Sequence, residues 1–395
     1  MNKTLLNTEV QDFITTHINT NIHTLVLKGS PFEGIDIKEI IGQIEAKKKC
    51  ESKLKTWFNT PGIYFPNKLN IEQTSSETTA QLKSEFTKGQ SLVDLTGGFG
   101  VDSYYFSKQF KSVIHCEMNP ELAEIAAFNF EALGAKNIIS QSKNGIEFLK
   151  SCQHTFDWIY VDPSRRDAQK NKKFLIEDCS PNVKTFQGLF LKYATNVLIK
   201  MSPMLDISVG LEALKHVKTI YIIAIRNEVK ELLFHLEKGY MGQATIHTLN
   251  SHPSGDEHYS FKRAEEDTAE ARYSAPKQFL YEPNAAVMKS GAFKLISEHF
   301  KLDKLDPHTH LYTSDERLEY FPGKIYAVSN VFPYQKKALK KAIGGLKANI
   351  KTRNFAEKPK ALKTLFKLTD GGELYVFFTT SNAKKIVVEC RLATV

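Results

Sequence analysis

Apolar positions along this chain follow two different periods, and the change from one to the other divides it. Between residues 1 and 86 the spacing is helical. Ile37, Ile40, Ile41 and Ile44 fall at i, i+3, i+4 and i+7 among lysines and glutamates, as one buried helix face requires. Trp57, Phe58 and Tyr64 supply core aromatics, and Pro61-Gly62 interrupts the pattern. Thr74-Ser75-Ser76-Glu77 has the form of a capping box that starts a helix through Thr78-Thr79-Ala80-Gln81-Leu82-Lys83. From Ser91 onward, short β-branched runs alternate with helical stretches. Strands are expected near 91–95, 112–117, 137–140, 157–162, 196–201, 217–225 and 244–249. Helices are expected between them, for example 121–133 and 227–236, the second with Asn227 as its N-cap. Alternating β and α units imply an α/β fold, a doubly wound, Rossmann-like parallel sheet with ligands at the C-terminal ends of its strands.

The composition shifts over 251–276, through Ser251-His252-Pro253-Ser254-Gly255-Asp256 and Glu265-Glu266-Asp267, which marks a domain boundary. Beyond it lie a helical stretch near 285–300 and strand candidates at 324–328, 350–355, 373–379 and 385–390, with Asp370-Gly371-Gly372 as a turn. The expected organisation is a mainly helical N-terminal region (1–88), a sheet domain (89–262) and a smaller C-terminal α/β domain (263–395).

Charge adds to this division. The chain carries a net +9, and residues 331–395 alone hold 14 lysines and arginines against 4 acidic residues. That excess reads either as a solvated lysine-rich surface or as a polyanion footprint. No apolar run approaches the ~20 residues of a membrane span, and the N-terminus lacks the build of a secretory signal. The five cysteines (50, 116, 152, 179 and 390) are odd in number and form no C-x-x-C, against a disulfide framework or zinc site and in keeping with a reducing cytoplasm. His247, His252, His258, His308 and His310 have no metal-site spacing, so no metal is expected.

Three turns carry candidate chemistry. Asp94-Leu95-Thr96-Gly97-Gly98-Phe99-Gly100 ends the first expected strand, and glycines there allow main chain to approach a ligand. Glu117 ends the second. Asp162-Pro163-Ser164-Arg165-Arg166 ends the fourth. A doubly wound sheet places all three on one rim. The glycine spacing fits poorly to the G-x-G-x-x-G of a dinucleotide site.

With these motifs, the stretch from about Ser91 to Leu249 resembles the class I S-adenosylmethionine-dependent methyltransferases. The resemblance implies roles. Gly97, Gly98 and Gly100, with Thr96, would admit the methionine part of the donor, and Asp94 would fix the turn and the donor's amino group. Glu117, with Met118 beside it, would accept the ribose hydroxyls. Asn144 stands where this family commonly has an adenine-contacting aspartate. Asp102 either faces the ligand or is a helix-start carboxylate favoured by the dipole. Asp162-Pro163-Ser164-Arg165 resembles the D-P-P-R turn of several RNA methyltransferases, with Ser164 replacing the second proline. Asp162 would orient the acceptor and take up its proton, and Arg165 and Arg166 would meet a phosphate or a stacked base. Methylation at pyrimidine C5 is disfavoured, because Lys200-Met201-Ser202-Pro203-Met204 lacks a cysteine nucleophile.

The C-terminal part resembles, more loosely, a THUMP-like module, on the strength of Lys336-Lys337-Ala338-Leu339-Lys340-Lys341, Lys351-Thr352-Arg353-Asn354-Phe355 and Asp370-Gly371-Gly372-Glu373-Leu374-Tyr375-Val376-Phe377-Phe378. Together the resemblances imply a cytoplasmic methyltransferase using S-adenosylmethionine on structured RNA, tRNA or rRNA. Two other readings stand beside it: a non-catalytic donor-binding module that interacts with RNA, and a methyltransferase of a small molecule or protein.

Overall fold

The helical N-terminal region forms as its periodicity requires, in six helices: α1 (Thr8–Thr16), α2 (Ile22–Lys28), α3 (Ile37–Lys53), α4 (Lys55–Asn59), α5 (Lys68–Gln73) and α6 (Glu77–Glu85). Ile40, Ile41 and Ile44 of α3 are buried, with Trp57 wholly so. The computed structural model describes residues 1–165 and 176–393. The chain divides into two units, Met1–Lys218 with Leu233–Met241, and Thr219–Leu232 with Gly242–Val395.

In the first unit the helices are followed by β1 (Gly89–Asp94), α7 (Val101–Phe106), β2 (Phe110–Glu117), α8 (Pro120–Ala132), β3 (Ile138–Ser142), α9 (Gly145–Ser151) and β4 (Phe156–Val161). A two-residue ladder then pairs β5 (Ser164–Arg165) with β6 (Cys179–Ser180), and α10 (Val183–Tyr193), β7 (Ala194–Met201) and α11 (Ile207–Ala213) follow. The strand order is β3-β2-β1-β4-β7, with every neighbouring pair parallel. Parallel pairing brings the C-terminal ends of β1, β2, β4 and β7 to one edge. One hydrophobic core joins α1 to α5 with Phe99, Val101 and Tyr105 around α7 and with Leu122 and Ile125 of α8. Trp57 meets the Tyr104 ring edge-on at 5.0 Å.

The cap of α6 differs from the expected capping box. Ser76, not Thr74, is the N-cap, its hydroxyl accepting from the Thr79 amide, while Thr74 closes α5. Glu77 therefore sits at the first helical position, where it accepts from the Thr56 amide and the Tyr105 hydroxyl. Three successive hydroxyl residues can each cap a helix, and tertiary partners choose among them.

The helix expected over 227–236 is a strand. β8 (Val217–Ile225) turns into β9 (Glu228–Glu237) through Arg226 and Asn227, whose φ angles of 51° and 65° make the two-residue bend of a hairpin. Leu232, Leu233, Phe234 and Leu236 of β9 are fully buried. A strand buried on both faces does not alternate, so its apolar spacing mimics a helix.

In the second unit β10 (Thr245–Ser251) runs parallel to β8 from Thr219 onward, and β11 (Glu257–Lys262) is antiparallel to β10. After α12 (Glu265–Thr268) the chain builds β12 (Phe279–Pro283), α13 (Ala285–Ser290), α14 (Phe293–His299), β13 (Asp303–Asp306), β14 (Thr309–Ser314) and β15 (Gly323–Pro333). It ends with α15 (Lys336–Ala342), β16 (Asn349–Arg353), α16 (Pro359–Phe366), β17 (Leu374–Ser381) and β18 (Lys384–Leu392). A second sheet has the order β13-β14-β12-β15-β18-β17-β16. Alternation along β17 serves two cores. Val376 and Phe378 pack with Leu339, Leu362 and Phe366 of α15 and α16, while Phe377 packs with Tyr326, Val388 and Cys390. Lys336, Lys337, Lys340, Lys341, Lys358, Lys360 and Lys367 on and beside the two helices are exposed. Among the described residues no helix is long and apolar enough to cross a membrane. No group of three or more His, Cys, Asp or Glu among them is placed to hold a metal ion.

Candidate active site

Hydrogen bonds draw the three sequence turns together at the C-terminal edge of the first unit's sheet. The glycine turn leaves β1 between the ends of β2 and β4, and it is tied to both. On one side the Gly97 amide donates to the Cys116 carbonyl at 2.8 Å, and the Gly98 amide donates to Glu117 Oε2 at 2.9 Å. On the other, the Leu95 amide donates to the Tyr160 carbonyl at 3.0 Å, and the Asp162 amide donates to Thr96 Oγ1 at 2.7 Å. Thr96 and Gly98 thus link the acidic end of the second strand to the proline turn of the fourth.

The glycines of the turn meet different surroundings. A Cβ on Gly97 would overlap the His115 ring, and one on Gly100 would overlap the Phe130 ring. Gly98, with φ +55°, would bring a Cβ no nearer than 4.0 Å to another atom, here the Thr96 carbonyl oxygen. Gly97 and Gly100 satisfy internal packing, whereas Gly98 is the position open to a ligand.

Asp94 is buried. Its Oδ1 accepts from the Thr96 amide at 3.0 Å, and its Oδ2 accepts from Ser103 Oγ at 2.7 Å, so the carboxyl staples the turn to α7. Burial pushes its pKa up to about 7, against the pull of the Ser103 and Thr96 hydrogen bonds and with help from Asp102 and Asp162. Behind the turn, His115 is fully buried. Its Nε2 lies 3.2 Å from the Gly98 carbonyl oxygen and its Nδ1 lies 3.0 Å from Ser140 Oγ. Burial lowers its pKa to about 4, so the ring is neutral.

Glu117 is half-buried and also caps the following turn, accepting from the Asn119 amide at 2.7 Å. Met118 beside it is exposed. Asn144 is the N-cap of α9, its Oδ1 accepting from the amides of Ile146 and Glu147 at 2.9 and 3.3 Å. That leaves its Nδ2 to donate elsewhere.

Asp102 belongs to a buried polar group. Lys83 Nζ lies 3.1 Å from its Oδ1, and Tyr160 Oη and Ser75 Oγ donate to its Oδ2 at 2.8 and 2.9 Å. Burial opposes its ionisation, but Lys83, Lys200, Tyr160 and Ser75 together hold its carboxyl below the ordinary value. At the neighbouring turn Lys200 Nζ donates to Asp162 Oδ2 at 2.6 Å. Pro163 is half-buried and Ser164 is exposed. Arg165 pairs through its backbone with Cys179 in the β5–β6 ladder, and Arg166 lies outside the described residues. Ser75, Lys83, His115 and Lys200 were not expected at this site. The sequence signal for Lys200 is a lysine inside the apolar run Val197-Leu198-Ile199-Lys200-Met201. For Lys83 it is a lysine on the face of α6 that buries Thr79 and Ala80.

The residues present fit a sulfonium nucleoside. Gly98 leaves space beside the turn, Glu117 offers a carboxylate at the rim, and Asp94 holds the turn from beneath.

Comparison with known proteins agrees with the fold. Residues 279–322 match a ferredoxin-like domain family, and residues 323–392 match a THUMP domain-like family. An uncharacterized RNA methyltransferase of Mycoplasma mobile is 31% identical over 150 residues, 37% of this chain. The match spans 41% of that relative's length. The crystal structure of a Porphyromonas gingivalis W83 protein assigned as a methyltransferase superposes with a TM-score of 0.90, at 29% identity over 100% of this chain and 99% of that one. The strand order, the glycine and acidic turns on one edge, and the two C-terminal matches agree with a methyltransferase fold followed by a THUMP-like domain at the C-terminus.

Proposed function

We propose that this protein transfers the methyl group of S-adenosylmethionine to structured RNA, a tRNA or rRNA, and that the basic helices of the THUMP-like region hold the RNA backbone. The observation supporting this reading is the pair of hydrogen bonds from Gly98 to Glu117 and from Asp162 to Thr96, which tie the two acidic turns to the glycine turn between them. The donor supplies an electrophilic methyl group on a sulfonium sulfur. Asp94 holds the turn's shape through Thr96 and Ser103. Glu117, acceptor-only when ionised, suits two adjacent ribose hydroxyls. Asn144 Nδ2 suits an acceptor on the adenine ring edge. Asp162, on a turn whose proline removes an amide hydrogen, orients the acceptor and receives its proton. Methyl transfer needs an in-line nucleophile and little further acid–base help, so positioning supplies most of the rate.

Calorimetry with S-adenosylmethionine and the Glu117→Ala variant tests the donor half; equal affinities for wild type and variant remove Glu117 from the site. Mass spectrometry of RNA nucleosides from cells with and without the gene tests the acceptor half. A single missing methylated nucleoside supports the RNA reading, and an unchanged set of nucleosides overturns it.

A further inference from the structure

The proline turn is not held by its own loop alone. β4 and β7 pair with Val161 opposite Ile199, so the next residues, Asp162 and Lys200, emerge side by side at the sheet edge. Lys200 Nζ donates to Asp162 Oδ2 at 2.6 Å and to Ser75 Oγ at 3.2 Å. Ser75 Oγ also accepts from Lys83 Nζ at 3.0 Å and donates to Asp102 Oδ2 at 2.9 Å. A serine hydroxyl has one hydrogen and two lone pairs, and here all three are used. Two lysine–carboxylate pairs therefore share one serine, one pair buried and one at the rim.

We propose that Lys200 is a positioning residue for methyl transfer, holding Asp162 by one oxygen so that Oδ1 is turned toward the acceptor. The proposal rests on the reading of Asp162 as the acceptor-side acid. Ser75 fixes where the ammonium stands, and the ammonium fixes the carboxylate. Among the described residues no side chain or amide hydrogen-bonds Asp162 Oδ1, which leaves that oxygen to accept from an N–H or O–H of the methyl acceptor. The charged and titratable groups facing this pair are Lys83 on α6, Asp102 on α7, Asp94 on β1, Tyr160 on β4 and Lys53 on α3, whose ammonium is itself lowered by burial and by Lys200. Only Lys200 contacts Asp162 directly among these described groups.

The test compares wild type with Lys200→Met, Lys200→Arg, Asp162→Asn and the Lys200→Met/Asp162→Asn double variant. The readouts are transfer of labelled methyl to RNA from cells lacking the gene and calorimetric affinity for S-adenosylhomocysteine. Lys200→Met is expected to lose about 30-fold or more in kcat, within the range for a positioned proton acceptor, while affinity for S-adenosylhomocysteine and KM for RNA stay within about 3-fold. Lys200→Arg, which keeps a cation beside Asp162, restores kcat in part. The double variant is no slower than Asp162→Asn alone. An unchanged kcat in Lys200→Met, or losses that add in the double variant, would overturn the proposal. Should wild type transfer nothing to any RNA fraction, the RNA reading itself fails, and crystal structures of wild type and Lys200→Met then decide the pairing separately. An Asp162 carboxylate that keeps the same position in Lys200→Met overturns the inference.

Discussion

The imidazole of His115 fills the space that a side chain on Gly97 would need: a Cβ there would lie 2.9 Å from His115 Cε1 and nearer still to Cδ2 and Nε2. Glycine is required at this point of the turn by the ring behind it. Gly97→Ala is expected to destabilise the first unit by about 2–3 kcal/mol, the usual effect of overpacking, and to weaken donor binding. The double variant Gly97→Ala/His115→Ala should be more stable than the sum of the single losses predicts, because the clash is gone. Urea denaturation of the four proteins measures the coupling, and simple additivity contradicts the packing account.

His115 and Asp94 titrate with opposite effects on stability. His115, lowered from 6.5 to about 4, leaves the unfolded chain holding a proton that the folded chain lacks, so its contribution is lost as pH falls from about 6.5 to 4. Asp94, raised from 3.8 to about 7, leaves the folded chain holding the extra proton, so its contribution is lost as pH rises from about 4 to 7. Over the shared window the two slopes offset. Asp94→Asn should uncover stability that rises with pH from about 4 to 6.5, and His115→Gln should uncover stability that falls from about 4 to 7. Each slope should reach at most about 1.4 kcal/mol per pH unit. Both tryptophans, Trp57 and Trp158, lie in the first unit, so their fluorescence follows its unfolding in urea at each pH.

In the second unit Glu282 is the centre of a buried charge cluster. Arg353 donates to its Oε1 at 2.7 Å, and Lys351 and the Tyr326 hydroxyl donate to its Oε2. Lys351 also lies over the rings of Tyr326, Tyr375 and Phe377. Burial lowers the Lys351 pKa against the raising effect of Glu282. Glu282→Gln should destabilise this unit by about 2–4 kcal/mol, somewhat below a wholly buried pair because Lys351 and Arg353 keep contact with water. Replacing all three by Leu, Met and Met should recover most of that loss. Thermal unfolding of both variants checks the pair of expectations.

If the exposed lysines of α15 meet RNA phosphates, they carry part of the salt dependence of binding. Replacing Lys337, Lys340 and Lys341 by glutamine should weaken binding to total RNA and reduce the slope of log affinity against log salt by up to about 2–3. Filter binding across a salt series measures it, and a wild-type response that is flat in salt removes the phosphate grip.

Much of the first unit was legible because its chemistry follows strand ends. Asp94, Glu117 and Asp162 each close an apolar run, and parallel pairing leaves such closures on one edge. What escaped was decided across the chain. Ser76 wins the cap of α6 because its neighbour Ser75 is committed to Asp102 and the two lysines. The β8–β9 bend uses Arg226 and Asn227 with no glycine to signal it, and the buried strand after it carries no alternation. Lys83 and Lys200 take their roles from Asp102 and Asp162, which only the fold brings beside them.

The shared core of Trp57 and Tyr104, together with the bridge from Ser75 to Asp102, bears on how this protein can be dissected. A fragment trimmed to begin at β1 would strip the apolar cover from α7 and orphan an acid from its counterion in a single cut. The opening helices are thus foundation for the ligand edge, and the smallest autonomous version of that edge has to start well upstream of its first strand.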